Sequence, residues 1–433
     1  MMENRYDRYK DSGIAWIGEI PEHWELRKGK NLFRLRISKG NNNAILLAAT
    51  QKFGMIPQTQ VEGVVQVRQN TDLNTFRTVH KNDYVISLRS FQGGFEMSEY
   101  EGVCSPAYQV FYSKTPCCNY FFKYLFKSYG FISQINAFTL GIREGKNIQY
   151  EDFSLMKLPL PTLQEQQTIA AYLDQKCGEI DELITLQEEM ITKLQGYKQS
   201  VITEAVTKGL DKNVPLKDSG IEWIGEIPKH WIVKRLKFSC NIWGRIGFRG
   251  YKSDDLVPEG EGAITLSPSN MKDMKMDYTN RTYLSWKKYY ESPEIMISNN
   301  DILMVKTGST YGKCSFVENM PMECTINPQI VVFKQHKDNS KFLAYSFQTR
   351  ITRAFVETSV VGGTIPTIAQ EKIMNYFFAF PPLSEQQSIV NYLDQRCGEI
   401  DELISIKQQK IEKLKEYKKS LIFECVTGKR KVS

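Results

Sequence analysis

Short apolar runs separated by turn-forming residues occupy two long regions of the chain. The runs are rich in β-branched and aromatic residues and are bounded by Gly, Asn and Pro, a pattern typical of strands joined by turns. Helical spacing is expected around 119–137 and 340–356. The strand-like runs are 44–50, 84–88, 263–267, 301–305 and 329–333. Each region is therefore predicted to fold as a compact mixed α+β domain.

A long helical stretch follows a proline-containing stop at the end of each region. Thr162 with Glu165, and Ser384 with Gln387, have the spacing of a capping box, in which two side chains satisfy free backbone donors at a helix start. The sequence therefore predicts that one helix begins near each of these pairs.

The apolar residues of both helical stretches recur in alternating steps of three and four, which is typical of a coiled-coil seam. In the second stretch Lys407 and Lys410 fall on seam positions, and Ile404 and Ile411 are expected to replace them. The predicted seam comprises Ile180, Leu183, Gln187, Met190, Leu194, Tyr197 and Val201, and in the second stretch Ile400, Leu403, Leu414, Tyr417 and Leu421. We expect the two helices to pack antiparallel as a locally paired coiled coil.

Two blocks of sequence occur twice with almost no change. DSGIAWIGEIPEHW (11–24) and DSGIEWIGEIPKHW (218–231) match at twelve of fourteen positions, with an offset of 207. YLDQKCGEIDELI (172–184) and YLDQRCGEIDELI (392–404) match at twelve of thirteen, with an offset of 220. The chain therefore reads as a tandem duplication with a pseudo-two-fold internal repeat. A recent partial gene conversion of the blocks is the alternative.

The segments between the blocks, 25–160 and 232–380, diverge almost completely. Faint landmarks nevertheless survive inside them. The landmark pairs are NDYVIS (82–87) with NDILMV (300–305), and SPAYQVFY (105–112) with NPQIVVFK (327–334). We infer that the two halves share a scaffold while their surfaces differ.

Composition and charge narrow the class of protein. At 433 residues the chain exceeds the size of a single core, and its 41% hydrophobic content supports ordered domains. A net charge of +7 and a pI near 8.7 suit a polyanionic partner. Nine cysteines without a CxxC spacing predict a reducing cytoplasm. A polar N-terminal sequence and the lack of an apolar run of about 18 residues predict neither export nor a membrane span.

Four motifs are distributed over nearly the whole length of the chain. They are the duplicated DSG-I-x-WIGEIPxHW opening, the NDILMVKTGSTYGK stretch (300–313), the GRIGFRGY run (244–251) and the duplicated EQQ-x-I-x-x-YLD helix start. Together they resemble the specificity subunit of a type I restriction-modification enzyme. The first copy departs from this pattern, because VISLRSFQGGFEMS (85–98) stands where the second copy has LMVKTGSTYGKCS (303–315).

The resemblance implies two target-recognition domains that each read half of a split site in double-stranded DNA. It also implies that the helices separate these domains and dock two modification subunits, and through them the restriction subunits. S-adenosylmethionine, ATP and Mg²⁺ are then expected on the partner subunits, and this chain binds no cofactor or metal and is not catalytic. The implied segments are 1–160 and 210–380 for recognition, and 161–209 and 381–433 for the helical spacers.

The predicted helix length suggests a spacing for the two domains. A helix from Glu179 to about Thr207 would be roughly 45 Å long at about 1.5 Å per residue. Successive major-groove faces on one side of B-DNA lie about 34–36 Å apart. Two such helices packed antiparallel would therefore hold the recognition domains about one duplex turn apart.

Candidate DNA contacts are cations, hydroxyls and amides on glycine-containing segments. The segment 306–313 is not a Walker loop, because three residues rather than four separate its glycines. Solvated charges on ordinary turns are the alternative for each residue. The predicted DNA-contact residues are Arg245, Arg249, Lys252, Lys306, Thr307, Ser309, Thr310, Lys313, Arg89, Ser90, Gln92, Arg143, Lys146 and Thr364.

Polar residues at the duplicated helix starts are candidates for docking a partner twice, with helix capping and solvation as the alternative. They are Glu165, Gln166, Asp174, Glu385, Gln386 and Asp394. The duplicated pairs His23 with Trp24, and His230 with Trp231, are interpreted as packing groups, because neither lies near a nucleophile or a cluster of metal ligands in the sequence.

Two other classes of function compete with a DNA-reading subunit. A nuclease or methyltransferase with built-in specificity is disfavoured, because the sequence has no P-loop, no glycine-rich cofactor loop after a strand and no base-methylation motif of the Asn-Pro-Pro-aromatic or Asp-Pro-Pro-aromatic type. A structural adaptor whose two variable domains bind proteins remains the second hypothesis.

Overall fold

The computed structural model describes residues 5–40, 42–51, 53–61, 71–87, 94–139, 148–222, 224–361 and 365–432. The chain divides into two compact units. Unit 1 consists of Met1–Glu188 with Gln408–Ser433, and unit 2 consists of Glu189–Lys407. Each unit therefore combines one mixed α+β region with segments of both long helices.

In its described residues, the first mixed region contains short strands and four helices. Its strands are β1 (Tyr9–Asp11), β2 (Glu19–Pro21), β3 (Glu25–Lys28), β4 (Phe33–Leu35), β5 (Leu47–Thr50), β6 (Gly54–Pro57), β7 (Arg77–Val79), β8 (Tyr84–Ile86), β9 (Phe95–Met97), β10 (Gly102–Cys104), β11 (Gln109–Ser113) and β12 (Lys157–Leu160). Its helices are α1 (Gly29–Leu32), α2 (Asn119–Lys127), α3 (Tyr129–Thr139) and α4 (Tyr150–Leu155). The long helix α5 (Leu163–Lys208) follows.

The second mixed region ends in the second long helix. Its strands are β13 (Leu216–Asp218), β14 (Glu226–Pro228), β15 (Ile232–Arg235), β16 (Asn241–Gly244), β17 (Leu256–Val257), β18 (Gly262–Leu266), β19 (Met271–Lys272), β20 (Lys275–Met276), β21 (Tyr283–Ser285), β22 (Ile302–Val305), β23 (Cys314–Phe316), β24 (Cys324–Ile326), β25 (Ile330–Lys334), β26 (Val360–Val361), β27 (Thr367–Ile368) and β28 (Phe377–Phe380). Its helices are α6 (Trp286–Tyr290), α7 (Ser340–Phe347), α8 (Arg350–Ser359), α9 (Gln370–Met374) and the long α10 (Leu383–Val426).

A four-stranded antiparallel sheet forms the centre of each unit. Its order is β4-β11-β8-β9 in unit 1 and β16-β25-β22-β23 in unit 2. Unit 2 adds a second four-stranded sheet, β17-β21-β18-β24, in which β18 and β24 run parallel. All five strand-like runs of the sequence contain strands, and both predicted helical regions contain helices. The predicted fold class, two mixed domains within an internal repeat, is therefore confirmed.

The shared Asn-Asp landmark has the same geometry in both units. Asn82 and Asn300 adopt left-handed backbone angles, with φ of 70° and 74°, just before β8 and β22. Asn tolerates this region better than most residues. The buried carboxylate that follows accepts a backbone hydrogen bond of 2.8 Å in each unit, Asp83 from the amide of His80 and Asp301 from that of Ser298. The landmark is thus a turn that starts the central strand.

The duplicated opening of each unit forms a hairpin followed by a buried tryptophan. β1 pairs with β2, and β13 pairs with β14, with equivalent registers. Trp24 and Trp231 are fully buried in the cores of their units. The interpretation as packing groups is confirmed for these tryptophans but is wrong for His23 and His230, which are exposed.

The two long helices run antiparallel within each unit. In unit 1, Asp181 forms an ion pair of 2.6 Å with Lys418, and four residues earlier in α5 Cys177 shares the hydrophobic core with Cys425. In unit 2, Lys198 forms an ion pair of 2.6 Å with Asp401. Buried apolar residues of both helices complete the core of each unit.

The helical seam has a different phase from the one predicted. Leu183, Met190 and Tyr197 are exposed, and so are Leu403 and Tyr417. Lys410 is exposed as well. The remaining predicted residues of both seams are buried or half-buried, including Gln187, Lys407, Ile404 and Ile411. The inward positions, in steps of four and then three, are Ile180, Ile184, Gln187, Ile191, Leu194, Lys198 and Val201, and Ile400, Ile404, Lys407, Ile411, Leu414, Lys418 and Leu421. The steps of three and four were right, but in the first stretch three of the seven predicted positions were displaced by one residue. In the second stretch the expected inward positions of Ile404 and Ile411 are confirmed, while Lys407 also stays on the inward side.

One predicted capping box forms and the other does not. Thr162 Oγ1 accepts a hydrogen bond of 3.3 Å from the amide of Glu165, whose carboxylate accepts one of 3.1 Å from the amide of Thr162. The second helix begins at Leu383, so Ser384 already lies inside it. Gln387 instead accepts a side-chain hydrogen bond from Asn339. The prediction for Ser384 and Gln387 was wrong, because the residue equivalent to Thr162 in the repeat is a proline, Pro382.

Candidate nucleic-acid interface

Four strand termini meet at one edge of the central sheet of unit 2. β16 ends at Gly244, which pairs with Val331, and β22 ends at Val305, which pairs with Ile330. Because the strands are antiparallel, the ends of β16 and β22 lie beside the starts of β25 and β23. The segments that follow β16 and β22 and precede β25 therefore form one surface.

Backbone hydrogen bonds fix the segment 306–313 along this edge. The carbonyl of Gln329 accepts hydrogen bonds from the amides of Lys306 at 2.8 Å and Thr307 at 3.3 Å. The amide of Gly308 donates to the carbonyl of Pro366 at 3.0 Å. The loop is thus attached to β25 on one side and to the segment leading into β27 on the other.

Only glycine fits at position 312, the second glycine of this loop. Gly312 has a φ of 78°, and a Cβ built there would lie 2.6 Å from the side chain of Val356 in α8. Both the left-handed backbone and the close approach of α8 exclude larger residues. The loop therefore sits on the buried face of α8, and its chain path is set by packing.

Lys306 is a half-buried cation at this edge of the sheet. Burial lowers the pKa of its ammonium group. No carboxylate lies within ion-pair distance of it in the part of the chain that the structure describes. Ser309 and Thr310 of the same loop are exposed, and Thr307 and Lys313 are half-buried. The loop can thus offer a cation and several hydroxyls to an anionic ligand.

The arginines of the GRIGFRGY run have internal partners. Arg245 is 5% exposed, and its guanidinium donates to the carbonyl of Ile326 at 3.2 Å and to Thr325 Oγ1 at 3.1 Å. Burial lowers its pKa. Arg249 forms an ion pair of 3.4 Å with Glu294. We therefore correct the predicted role of Arg245: it joins β16 to β24 as a structural residue. The third cation of the run, Lys252, is exposed.

Sequence reasoning missed an amide pair at the start of β25. Asn327 Nδ2 donates a hydrogen bond of 3.1 Å to Gln329 Oε1, and Asn327 Oδ1 accepts one of 3.0 Å from the amide of Gln329. Gln329 is exposed and lies beside Lys306, which its carbonyl anchors. The two residues belong to a landmark assigned entirely to the shared scaffold. Their difference from the residues of the first copy was the signal that could have revealed them.

Several predicted contacts lie outside the described residues. They are Arg89, Ser90, Gln92, Arg143, Lys146 and Thr364. In unit 1, β8 and β9 bracket the segment 88–93, as β22 and β23 bracket 306–313 in unit 2. The predictions for these residues stay predictions.

The duplicated polar residues at the helix starts have equivalent partners in both units. Glu165 accepts hydrogen bonds from His23 at 2.8 Å and from the Trp24 indole at 3.3 Å, and Glu385 accepts from the equivalent histidine and tryptophan at 2.8 Å and 3.1 Å. Burial raises the pKa of Glu165, but hydrogen bonds from His23, Thr162 and Trp24 outweigh it and lower the pKa overall. This carboxylate joins the start of the long helix to the buried tryptophan in each unit.

The neighbouring residues of both helix starts are also used internally. Gln166 and Gln386 are 2% and 1% exposed, and each accepts a hydrogen bond from a backbone amide of its own unit. Asp174 accepts a hydrogen bond of 2.6 Å from Tyr124, and Asp394 accepts the equivalent one of 2.7 Å from Tyr345. Burial leaves the two glutamines no accessible surface for a partner, which corrects their predicted docking role.

Within the described ranges, no group of three or more His, Cys, Asp and Glu side chains could hold a metal ion. No helix there combines the length and the apolar character needed to cross a membrane.

A family model described as the type I restriction modification DNA specificity domain matches residues 21–195 and 251–416. The putative type I restriction enzyme MjaX specificity subunit of Methanocaldococcus jannaschii is 25% identical over 96% of this chain and 96% of its own length. The MjaVIII specificity subunit of the same organism is 25% identical over 67% of this chain and 66% of its own length. The StySPI specificity subunit of Salmonella potsdam is 26% identical over 58% of this chain and 52% of its own length.

Two solved structures share the fold. One is a chain from work on complex assembly and conformational transition of the type I R-M system, with a TM-score of 0.71 and 16% identity. The other is the HsdS subunit of Thermoanaerobacter tengcongensis, with a TM-score of 0.52 and 16% identity. Each likeness covers 94% of this chain and 98% of the other chain. With its two matched domains and this shared fold, the chain belongs to the type I restriction-modification DNA specificity family.

Proposed function

We propose that this chain is the non-catalytic subunit that reads a two-part DNA target for a type I restriction-modification complex. The mixed region of each unit reads one half of the target, and the edge of the central sheet around the 306–313 loop is the contact surface of unit 2. S-adenosylmethionine, ATP and Mg²⁺ act on partner subunits.

The observation that supports DNA contact most directly is the half-buried ammonium group of Lys306. Burying a cation without a carboxylate is unfavourable unless a ligand compensates for it. A DNA phosphate supplies such compensation, and neighbouring Thr307, Ser309 and Thr310 supply further donors of the kind that bind phosphate oxygens. A phosphate contact sets affinity and register rather than sequence preference.

Lys306→Ala is expected to weaken binding to all DNA sequences about equally and to lower the slope of log affinity against log salt by about 1. Fluorescence anisotropy with target and non-target duplexes over a salt series measures both quantities. Lys217→Ala, which removes an exposed lysine on β13, is the matched control and should leave both unchanged.

Two results would contradict this assignment. If Lys306→Ala changed which sequence is methylated, Lys306 would be a base-reading residue and not a phosphate contact. If the assembled complex bound DNA with no dependence on salt, the chain would fit the adaptor hypothesis better, because phosphate neutralisation always releases counterions.

Docking of two modification subunits is supported by apolar positions that the helices leave exposed. Unit 1 exposes Leu183 and Tyr417, and unit 2 exposes Leu403 and Tyr197, their equivalents at an offset of 220. Surfaces that recur in both units suit two copies of one partner. Exposed apolar side chains that recur at equivalent positions in both units are candidates for a protein interface.

The double variant Leu183→Ala with Leu403→Ala is expected to fold normally, because the two side chains are 43% and 47% exposed. It should bind the modification subunit at least about fivefold more weakly, since truncating a side chain that anchors an interface costs more than about 1 kcal/mol. Analytical ultracentrifugation of the mixed subunits measures the assembly. The matched control, Glu182→Ala with Glu402→Ala, changes exposed neighbours at the same offset. Equal assembly of both double variants would exclude these leucines from the interface.

A further inference from the structure

We infer that Gln329, held in place by Asn327, reads an adenine in the half of the DNA target recognised by unit 2. This inference rests on the proposed function and adds a specific base contact to it. Gln329 lies at the start of β25, beside the loop of Lys306, and its side chain is exposed. It is therefore within the surface proposed to face the duplex.

The hydrogen bonds of the pair fix the orientation of the Gln329 amide. Asn327 Nδ2 donates to Gln329 Oε1 at 3.1 Å, which identifies the oxygen side of the amide. The same oxygen keeps a second lone pair, and Nε2 keeps its two N–H donors. Asn327 is itself held because its Oδ1 accepts the backbone amide of Gln329 at 3.0 Å. The result is an adjacent donor and acceptor in one plane, presented directly before the start of β25.

Adenine is the base that fits this pattern. In the major groove it offers the N7 acceptor and the N6 donor side by side, and a Gln or Asn amide pairs with both at once. Guanine offers two acceptors there, so it would meet the Gln329 oxygen with repulsion. Cytosine offers a donor without an adjacent acceptor. The amide pair therefore favours adenine because the donors and acceptors match. It disfavours guanine because an acceptor of the base would face the Gln329 oxygen.

The equivalent turn of unit 1 has the same hydrogen bond from a backbone amide but different side chains. There Ser105 Oγ accepts a hydrogen bond of 3.3 Å from the amide of Ala107, so the backbone turn is the same. Pro106 and Pro328 occupy the middle of both turns. Only the side chains differ, with Ser105 and Ala107 in place of the amide pair. The shared turn can thus carry a base-reading group in one unit and none in the other.

The test is methylome sequencing of cells that carry the complete complex with each variant. Gln329→Ala should lower the preference for adenine at one position of one half-site by about 10- to 100-fold, leaving the other half-site intact. Gln329→Glu should move the preference at that position toward cytosine, because a carboxylate accepts from the cytosine N4 amino group. Both variants remove or alter an exposed side chain, so folding is preserved.

Asn327→Ser tests the positioning role of Asn327. It copies the turn of unit 1, so the backbone cap remains while the donor to Gln329 is lost. The preference for adenine should fall, but less than in Gln329→Ala. If neither Asn327→Ser nor Asn327→Ala changed the base preference, and only Asn327→Ala lowered stability, Asn327 would act in the turn alone.

The outcomes separate this inference from the proposed function. If the wild-type complex methylates a two-part site and Gln329→Ala methylates the same site with the same preference, the inference is wrong while the function stands. If the wild-type complex shows no sequence preference at all, the proposed function itself fails.

Discussion

Exchanging residues 25–160 for the corresponding segment of another specificity subunit is expected to change one half of the methylated target and leave the other half unaltered. The segment contains the whole central sheet of unit 1 together with α1 to α4. Among the residues that the structure describes, the cores of unit 2 include none from this segment. The recognition surface of unit 2 should therefore keep its structure.

The core of unit 1 sets a condition on the donor segment. Phe121 and Leu125 of α2 share a core with Ile169 and Leu173 of α5, and Trp24 lies in the same cluster. A donor with smaller residues at the two α2 positions would leave a cavity and lose several kcal/mol, about 2–5 for each large-to-alanine change. The exchange is therefore best made with a donor that has large apolar residues at these positions.

Methylome sequencing identifies the new target, and the reciprocal exchange of residues 232–380 is the control, which should change the opposite half. A change in both halves after either exchange would refute independent reading by the two units. Methylation of a single uninterrupted word by the wild-type complex would refute the two-part target.

The second large effect is expected from Trp231→Ala, which should lower the free energy of unfolding of unit 2 by about 3–5 kcal/mol. Trp231 is fully buried, and its indole donates to Glu385, which also holds His230. The substitution opens a cavity and removes one of the links between the opening hairpin and the start of α10. Thermal and urea unfolding monitored by circular dichroism measure the loss.

Two further variants divide this effect into its parts. Trp231→Phe keeps most of the apolar volume and removes the indole donor, so its loss should be smaller than that of Trp231→Ala. Tyr290→Ala truncates an aromatic residue that is 65% exposed and should change stability by no more than about 0.5 kcal/mol. Equal stability of Trp231→Ala and the wild-type chain would rule out the packing role of this residue.

Most of the fold that could be predicted from sequence was predicted from patterns that recur in both halves of the chain. Residues such as Asn82 and Asn300 persist in both halves because a left-handed turn and a buried carboxylate have few substitutes. Local patterns of this kind depend on neighbours in the chain, so they are visible in the sequence. The strands and helices that they border were predicted for the same reason.

The phase of the helical seam could not be settled in the same way. Leu183 and Ile184 are adjacent and both apolar, so either can be assigned to the inward face by spacing alone. The cores of the two units decide in favour of Ile184, and Lys198 and Lys418 take inward positions because Asp401 and Asp181 pair with them. Such pairing joins residues more than 200 positions apart, since it links Lys198 to Asp401 and Asp181 to Lys418.

The candidate DNA surface was predicted in part for a related reason. Lys306 and its loop were identified from composition, whereas Arg245 has the same composition signal but is used inside the protein. A charged residue in a glycine-rich run does not by itself reveal whether it points outward. Asn327 and Gln329 were passed over because they lie within a motif that both copies share in outline.

Unit 1 is built from two segments that are far apart in the chain, and this imposes an order on folding during synthesis. The core of unit 1 includes Leu421, Ile422 and Val426, which leave the ribosome long after the first mixed region, at about 5–20 residues per second. The cores of unit 2 are built entirely from the contiguous stretch 189–407. The second unit can thus be completed while the nascent first unit still exposes the apolar face of α5. The domain translated first is the last to close.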